Sequence, residues 1–145
     1  MDASEFDALR LENQLCFPLY ACAREVVKRY KPFLDAIDLT YTQYVTMMVL
    51  WEKPKVTSKE IGEKLHLDSG TLTPVIKKLA EKGLVTRSRD AVDERNLMVE
   101  LTDEGRALRD RAEGIPARVG ACIPLTPDDA ARLYEILYKL LNGLM

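Results

Sequence analysis

Apolar positions recur every three to four residues over most of the chain and every second residue in one short stretch. The first helical pattern starts at about Phe17 or Pro18, because proline is tolerated in a first helical turn, where its missing N–H has no partner to lose. It runs through Ala21, Val26, Val27 and Tyr30 and is disturbed at Pro32. Thr40 with Gln43 forms a capping-box pattern ahead of "YVTMMVLW". That helix is apolar on nearly every side and is expected to be the buried central element. Thr57 with Glu60 is a second capping box, opening "SKEIGEKL", where Ile61 and Leu65 lie one turn apart. A brief turn, "HLDS", leads into "GTLTPVIKKLAEKG". There Leu72, Val75, Ile76 and Leu79 keep helical spacing, Pro74 fits the first turn and Gly83 is the stop.

After Gly83 the period changes to two. "LVTRSR" and "NLMVEL" alternate around the polar "DAVDER", which predicts a hairpin. Thr102 then caps "DEGRALRDRAEG", which Pro116 bends or ends. Thr126-Pro127 with Asp129 starts a last helix whose Leu133, Ile136, Leu137, Leu140, Leu141 and Leu144 make one wide apolar stripe. Helix, turn, helix and charged hairpin, in that order, predict a mostly α winged helix-turn-helix with a two-stranded β-wing.

Composition adds limits. The chain has 145 residues, 47% of them hydrophobic and 30% charged, which fits one soluble domain with a real core. Its longest apolar run, around Val45 to Trp51, is far too short to span a bilayer. Met1 to Ala8 is acidic and has neither a basic start nor an apolar core, so no secretory signal is visible and a cytoplasmic location is expected. Cys16, Cys22 and Cys122 form no close pair, and with the single His66 they assemble no familiar zinc spacing. No phosphate-cradling glycine loop, nucleophile elbow or carboxylate cluster is present, so no metal, cofactor or enzymatic activity is expected. His66 fits a structural or phosphate-facing role.

Net charge is −2, which advertises no nucleic-acid partner. The distribution changes that picture. Between Thr71 and Arg95, the residues Lys77, Lys78, Lys82, Arg87, Arg89 and Arg95 outnumber Glu81, Asp90, Asp93 and Glu94. A B-DNA major groove admits one α-helix, and the second helix of the pair offers Ser69, Thr71, Thr73 and Lys77 to phosphates or base edges. Arg95 at the hairpin tip, with Arg87 and Arg89 on the strand, suits an adjacent minor groove. Lys78 and Lys82 read equally well as a solvated face. The competing reading of the whole segment is two amphipathic helices and a hairpin that only pack together.

The stretch "LDSGTLTPVIKKLAEKGLVTRSRDAVDERNLMVELTDEG" resembles the recognition helix and wing of the MarR family, with "DERN" and "LTDEG" carrying most of the likeness. "LENQLCFPLY" and "LTYTQYVTMMVLWE" narrow it to the organic-hydroperoxide-sensing OhrR branch. The resemblance implies a homodimeric repressor that binds double-stranded operator DNA and releases it when one cysteine is oxidised by an organic hydroperoxide. Dimerisation is expected from about residues 1–40 and 103–145, with the winged helix at 41–102. A two-fold dimer predicts a pseudo-palindromic operator, its recognition helices about 34 Å apart.

The residues have their own reading of Cys16. A thiol beside a helix start lies near free backbone N–H groups and the positive end of the helix dipole, and both favour a thiolate. A thiolate attacks a peroxide and becomes sulfenic acid. Tyr20 follows by four residues. Tyr30 follows by fourteen, about 21 Å along one helix. Two antiparallel copies, with a two-fold axis near residue 23, would bring Cys16 of one beside Tyr30 of the other. The resemblance implies the same roles, Cys16 as sensor with Tyr20 and Tyr30 as hydrogen-bond partners. Without it, cysteines and tyrosines more often just fill a core, which is the role expected of Cys22. Phe17, Leu19 and Met47 or Met48 are candidates for an apolar approach to the thiol.

For Cys122 the resemblance leaves two routes open. In one, a small external thiol caps the sulfenate. In the other, Cys122 of the partner resolves it as a disulfide, which requires Cα atoms within about 7 Å. Three other functions also stand: a MarR-type repressor released by a small aromatic ligand, a thiol peroxidase, and a protein-interaction module.

Overall fold

A computed structural model describes residues 7–145. After a short 3-10 turn at Leu11–Asn13 come α1 (Cys16–Asp35), α2 (Tyr41–Glu52), β1 (Lys55–Thr57), α3 (Ser58–Leu65) and α4 (Ser69–Glu81). The hairpin β2 (Val85–Arg89) and β3 (Leu97–Leu101) follows, then α5 (Asp103–Ala112), α6 (Ile115–Gly120) and α7 (Pro127–Leu144). The chain divides into two compact units, one ending at Ile115 and one spanning Pro116–Met145.

Side-chain caps set most helix starts. Thr40 Oγ1 accepts from Gln43 N, and Thr40 N donates to Gln43 Oε1, so both halves of the capping box form. Thr57, Thr102 and Thr126 each accept from the backbone N–H three residues on. His66 ends α3 in the left-handed conformation, at φ 55°, and so has a structural job.

The extent of α1, the turn that holds Pro74 and the strand count differ from the sequence expectation. Helix α1 begins at Cys16, earlier than Phe17 or Pro18, and it continues through Pro32 to Asp35. Proline removes one hydrogen bond, to the carbonyl of Lys28, and that residue is exposed, so water can replace the lost donor. Helix α4 starts at the expected Ser69 with Asp68 as its cap, which puts Pro74 in the second turn instead of the first. The hairpin gains a third strand: the sheet order is β1-β3-β2, antiparallel throughout, with both Val56 and Arg87 opposite Val99. "KVT" is too short to announce itself by alternation.

The core of the first unit lies between α2, α3, α4 and the sheet. Met47, Leu50, Ile61, Leu79 and Val99 are fully buried there, with Leu72, Ile76, Val56 and Val85 nearly so. Each such side chain contributes about 1.5–3 kcal/mol relative to exposure. Thr46 is also fully buried, and its hydroxyl donates to the carbonyl of Thr42 at 2.7 Å. In the second unit α7 has no buried residue.

The wing is rooted on α5. Thr102 Oγ1 donates to the carbonyl of Gly83 at 2.7 Å, and Thr102 N to that of Leu84 at 3.1 Å. Gly105 packs against the same corner: a Cβ there would stand 2.2 Å from the Leu84 carbonyl oxygen and 2.8 Å from Leu101 Cδ1. Gly105→Ala is therefore expected to lower unfolding free energy by at least about 2 kcal/mol. Urea unfolding at fixed protein concentration checks this.

Candidate functional site

Cys16 is the first residue of α1, where the backbone N–H groups have no intrahelical acceptor. The preceding residue, Leu15, already has helical angles, and no side chain caps this end. Pro18 removes one of the remaining donors. The chain leading in is pinned by Gln14 Nε2, which donates to the carbonyls of Ala8 and Arg10, and by Asn13 Nδ2, which donates to that of Asp7. The thiol itself is exposed.

Tyr20 lies one turn along the same helix, 60% exposed, with the Arg24 guanidinium 5.2 Å from its ring centre. Tyr30 is on the same unbroken helix, fourteen residues from Cys16, so a single chain does not bring the two together. Phe17 and Leu19 are exposed beside the thiol. Of the two methionines only Met48, at 41% exposure, can face an approaching molecule, because Met47 is sealed in the core. Cys22, expected as core filler, is exposed on α1. It sits on a helix that buries only Leu34.

Tyr30 has neighbours that the sequence pattern did not single out. Its ring meets Tyr41 edge-on at 5.0 Å between centres and Tyr44 at 5.8 Å. Tyr44 reaches Trp51 at 6.5 Å, and Trp51 Nε1 donates to the carbonyl of Gly105 at 2.9 Å. Tyr41 and Tyr44 stand three apart on α2, one helical face, and that spacing was the available signal. Burial first, and then the neighbouring Tyr30 phenol, push the ionisation of Tyr41 and Tyr44 above the usual tyrosine range. Both are therefore protonated hydrogen-bond donors at neutral pH.

Cys122 lies in the turn after α6, exposed, with Sγ 3.5 Å from the carbonyl of Arg118 to which it donates. Arg118 to Gly120, just ahead of it, belong to α6.

The second group of expected site residues forms a separate surface. On α4, Leu72, Ile76 and Leu79 face the core, while Ser69, Thr71, Thr73 and Lys77 are exposed. Asp68 Oδ1 accepts from Thr71 N at 2.7 Å, and that backbone hydrogen bond holds its carboxyl below the usual range. Thr73 Oγ1 donates to the carbonyl of Ser69 at 2.6 Å, leaving its oxygen free to accept. Arg87 and Arg89 project from one face of β2. Arg95 stands at the tip with its side chain 90% exposed, gripped in a bidentate pair by Asp93 at 3.0 and 3.1 Å. Its second terminal nitrogen is not used in that pair. Lys82 is not on a solvated face: its ammonium is bonded to Asp38 and Gln43.

Residues 28–112 match the family of SarA/Rot transcriptional regulators. The organic hydroperoxide resistance transcriptional regulator of Bacillus subtilis is 45% identical to this chain, covering 97% of it and 96% of the relative. The chain belongs to the MarR-type regulators, in their organic hydroperoxide resistance branch. Among solved structures, reduced AbfR bound to DNA is 33% identical with a TM-score of 0.77, covering 99% of this chain and 100% of that one. The disulfide form of AbfR, a Staphylococcus epidermidis protein, is 35% identical with a TM-score of 0.63, covering 97% and 96%. The family's winged helix is the fold found here, and no helix among the described residues is long and apolar enough to cross a membrane.

The phenol cluster makes a testable statement about pH. Folded-state values raised above the unfolded one, about 10, mean that the contribution of Tyr41 and Tyr44 to stability is complete below that pH. It is lost as pH rises through the folded values. Unfolding free energy is therefore expected to fall in alkali above about pH 10, and Tyr41→Phe is expected to flatten that fall.

Proposed function

We propose that two copies of this chain form a repressor that grips a pseudo-palindromic operator in double-stranded DNA while Cys16 is reduced. It lets go once an organic hydroperoxide has oxidised that thiol. One observation carries this reading: an exposed cysteine at the uncapped start of α1, in a chain nearly half identical to an organic hydroperoxide resistance regulator. The Cys16 thiolate attacks the terminal peroxide oxygen, the O–O bond breaks, and the alkoxide leaves and takes a proton from water. The product is a sulfenic acid. A second thiol then displaces water to give a disulfide. Cys122 of the partner subunit is assigned that role, with a small external thiol as the other route. AbfR is known both in a disulfide form and reduced on DNA, which supports the reading. Each thiol reports an oxidation event and does not turn over substrate, so the protein acts as a regulator, not an enzyme.

Exposed apolar surface supports the dimer. Leu15, Phe17, Leu19, Val26 and Val27 on and before α1, and Leu133, Ile136, Leu140 and Leu144 on α7, are more than a small monomer leaves in water. Antiparallel α1 helices place Cys16 of one subunit near Tyr30 of the other, with Tyr20 one turn from the thiol and Tyr41 beside Tyr30. These phenols donate to the thiolate and lose their acceptor geometry when an oxygen is added to sulfur. Ser69, Thr71, Thr73 and Lys77 serve the major groove, and Arg87, Arg89 and Arg95 the phosphates and minor groove beside it.

Cys16→Ser is expected to bind operator as tightly as the reduced parent and to ignore cumene hydroperoxide in a titration followed by fluorescence anisotropy. Continued release by peroxide removes the sensor assignment. Non-reducing mass spectrometry after one equivalent of peroxide is expected to show a Cys16–Cys122 link between chains. A mass shift of sulfenic acid or of a small-thiol adduct alone removes Cys122 from the scheme.

A further inference from the structure

Lys82 follows the last residue of α4 and lies at the opposite end of that helix from Ser69 and Thr71. Its side chain is only 26% exposed. Nζ donates to the backbone carbonyl of Asp38 and, at 3.0 Å, to Gln43 Oε1, and it lies 3.7 Å from Asp38 Oδ2. Two of the three ammonium donors are thus used in hydrogen bonds, and the Asp38 carboxylate lies near the group as an ion-pair partner. Gln43 is itself buried, and the same oxygen accepts the N–H of Thr40 at 3.1 Å. Asp38 forms the corner between α1 and α2 in the left-handed conformation, at φ 54°. Thus one lysine holds α4 to the corner that joins the helix of Cys16 and Tyr30 to the helix of Tyr41.

We infer that Lys82 is a positioning residue that couples the phenol cluster to the recognition helix, and not a DNA contact. The inference rests on the function proposed above. The mechanical argument is a lever. Helix α4 spans 13 residues, so its far end lies about 20 Å from the clamp and a tilt of about 5° there moves Ser69 by nearly 2 Å. That exceeds the tolerance of a hydrogen bond to a phosphate or base edge. Any shift of α1 against α2 at Tyr30 and Tyr41 moves the Asp38 corner, and the clamp passes the movement to α4. The opposite end of α4 is capped only by its own neighbour, Asp68, so nothing in that cap opposes the tilt.

The test uses Lys82→Met in the full-length dimer, which keeps the stem and removes the donors, with Lys82→Arg as the conservative variant and a thermal melt to establish folding. Operator affinity is measured reduced and oxidised, over a range of salt. Lys82→Met is expected to reduce the reduced-to-oxidised affinity ratio by about fivefold while leaving the slope of log affinity against log salt unchanged. Lys82→Arg is expected to restore the ratio. Gln43→Met is expected to have the same effect, and the double variant no more than either alone. A slope reduced by about 0.9 by Lys82→Met, with an unchanged ratio, makes Lys82 a phosphate contact and overturns the inference. An unchanged ratio and slope also overturn it. If the parent protein keeps its DNA after peroxide, the proposed function fails and the coupling role fails with it.

Discussion

The burial of α2 is the constraint on which the first unit depends. Met47 and Leu50 have no exposed surface, and the buried Thr46 satisfies its hydroxyl within the helix. A helix packed on nearly every side cannot slide, because close-packed interiors answer displacement with voids and clashes. Its ends therefore act as fixed reference points. Tyr41 and Tyr44 at one end meet Tyr30 of α1, and Trp51 at the other donates to the carbonyl of Gly105 at the root of the wing. Gln43 meets Lys82 from α4. One rigid rod thus touches the phenols, the recognition helix and the wing.

In the proposed redox switch, that geometry gives a single added oxygen its leverage. There, a change at sulfur that shifts α1 against the fixed α2 reaches α4 through the Lys82 clamp, and packed elements answer small shifts with discrete rearrangements. The wing is anchored separately, through Thr102 and the close approach of Gly105 to Leu84, so recognition helix and wing share one foundation. Burial, with the neighbouring phenol of Tyr30, raises the ionisation of Tyr41 and Tyr44 above the usual tyrosine range.

Much of this was legible from the chain. Capping threonines at 40, 57, 102 and 126 fixed helix starts because a short hydroxyl side chain that satisfies a free N–H is a local interaction. The period change after Gly83 exposed the hairpin for the same reason. Less was legible where a local rule met tertiary packing. Pro32 read as a disturbance of its helix and Pro74 as a first-turn residue, yet each lies inside a helix, since one missing hydrogen bond near water costs less than ending the helix. Strand β1 was missed because three residues carry no period, and it forms only because β3 offers an open edge.

The sequence alone determined the winged-helix order of elements, the exposed face of α4 with Ser69, Thr71, Thr73 and Lys77, and the position of Cys16 at a helix start. All are consequences of periodicity and capping within a few residues. Only the tertiary structure decided that Met47 is sealed while Met48 is open, that Cys22 is exposed, that Tyr41 and Tyr44 join Tyr30, and that Lys82 clamps a corner 44 residues away. Those depend on which faces of separate helices meet. That choice is made by packing between distant segments, and no local pattern encodes it.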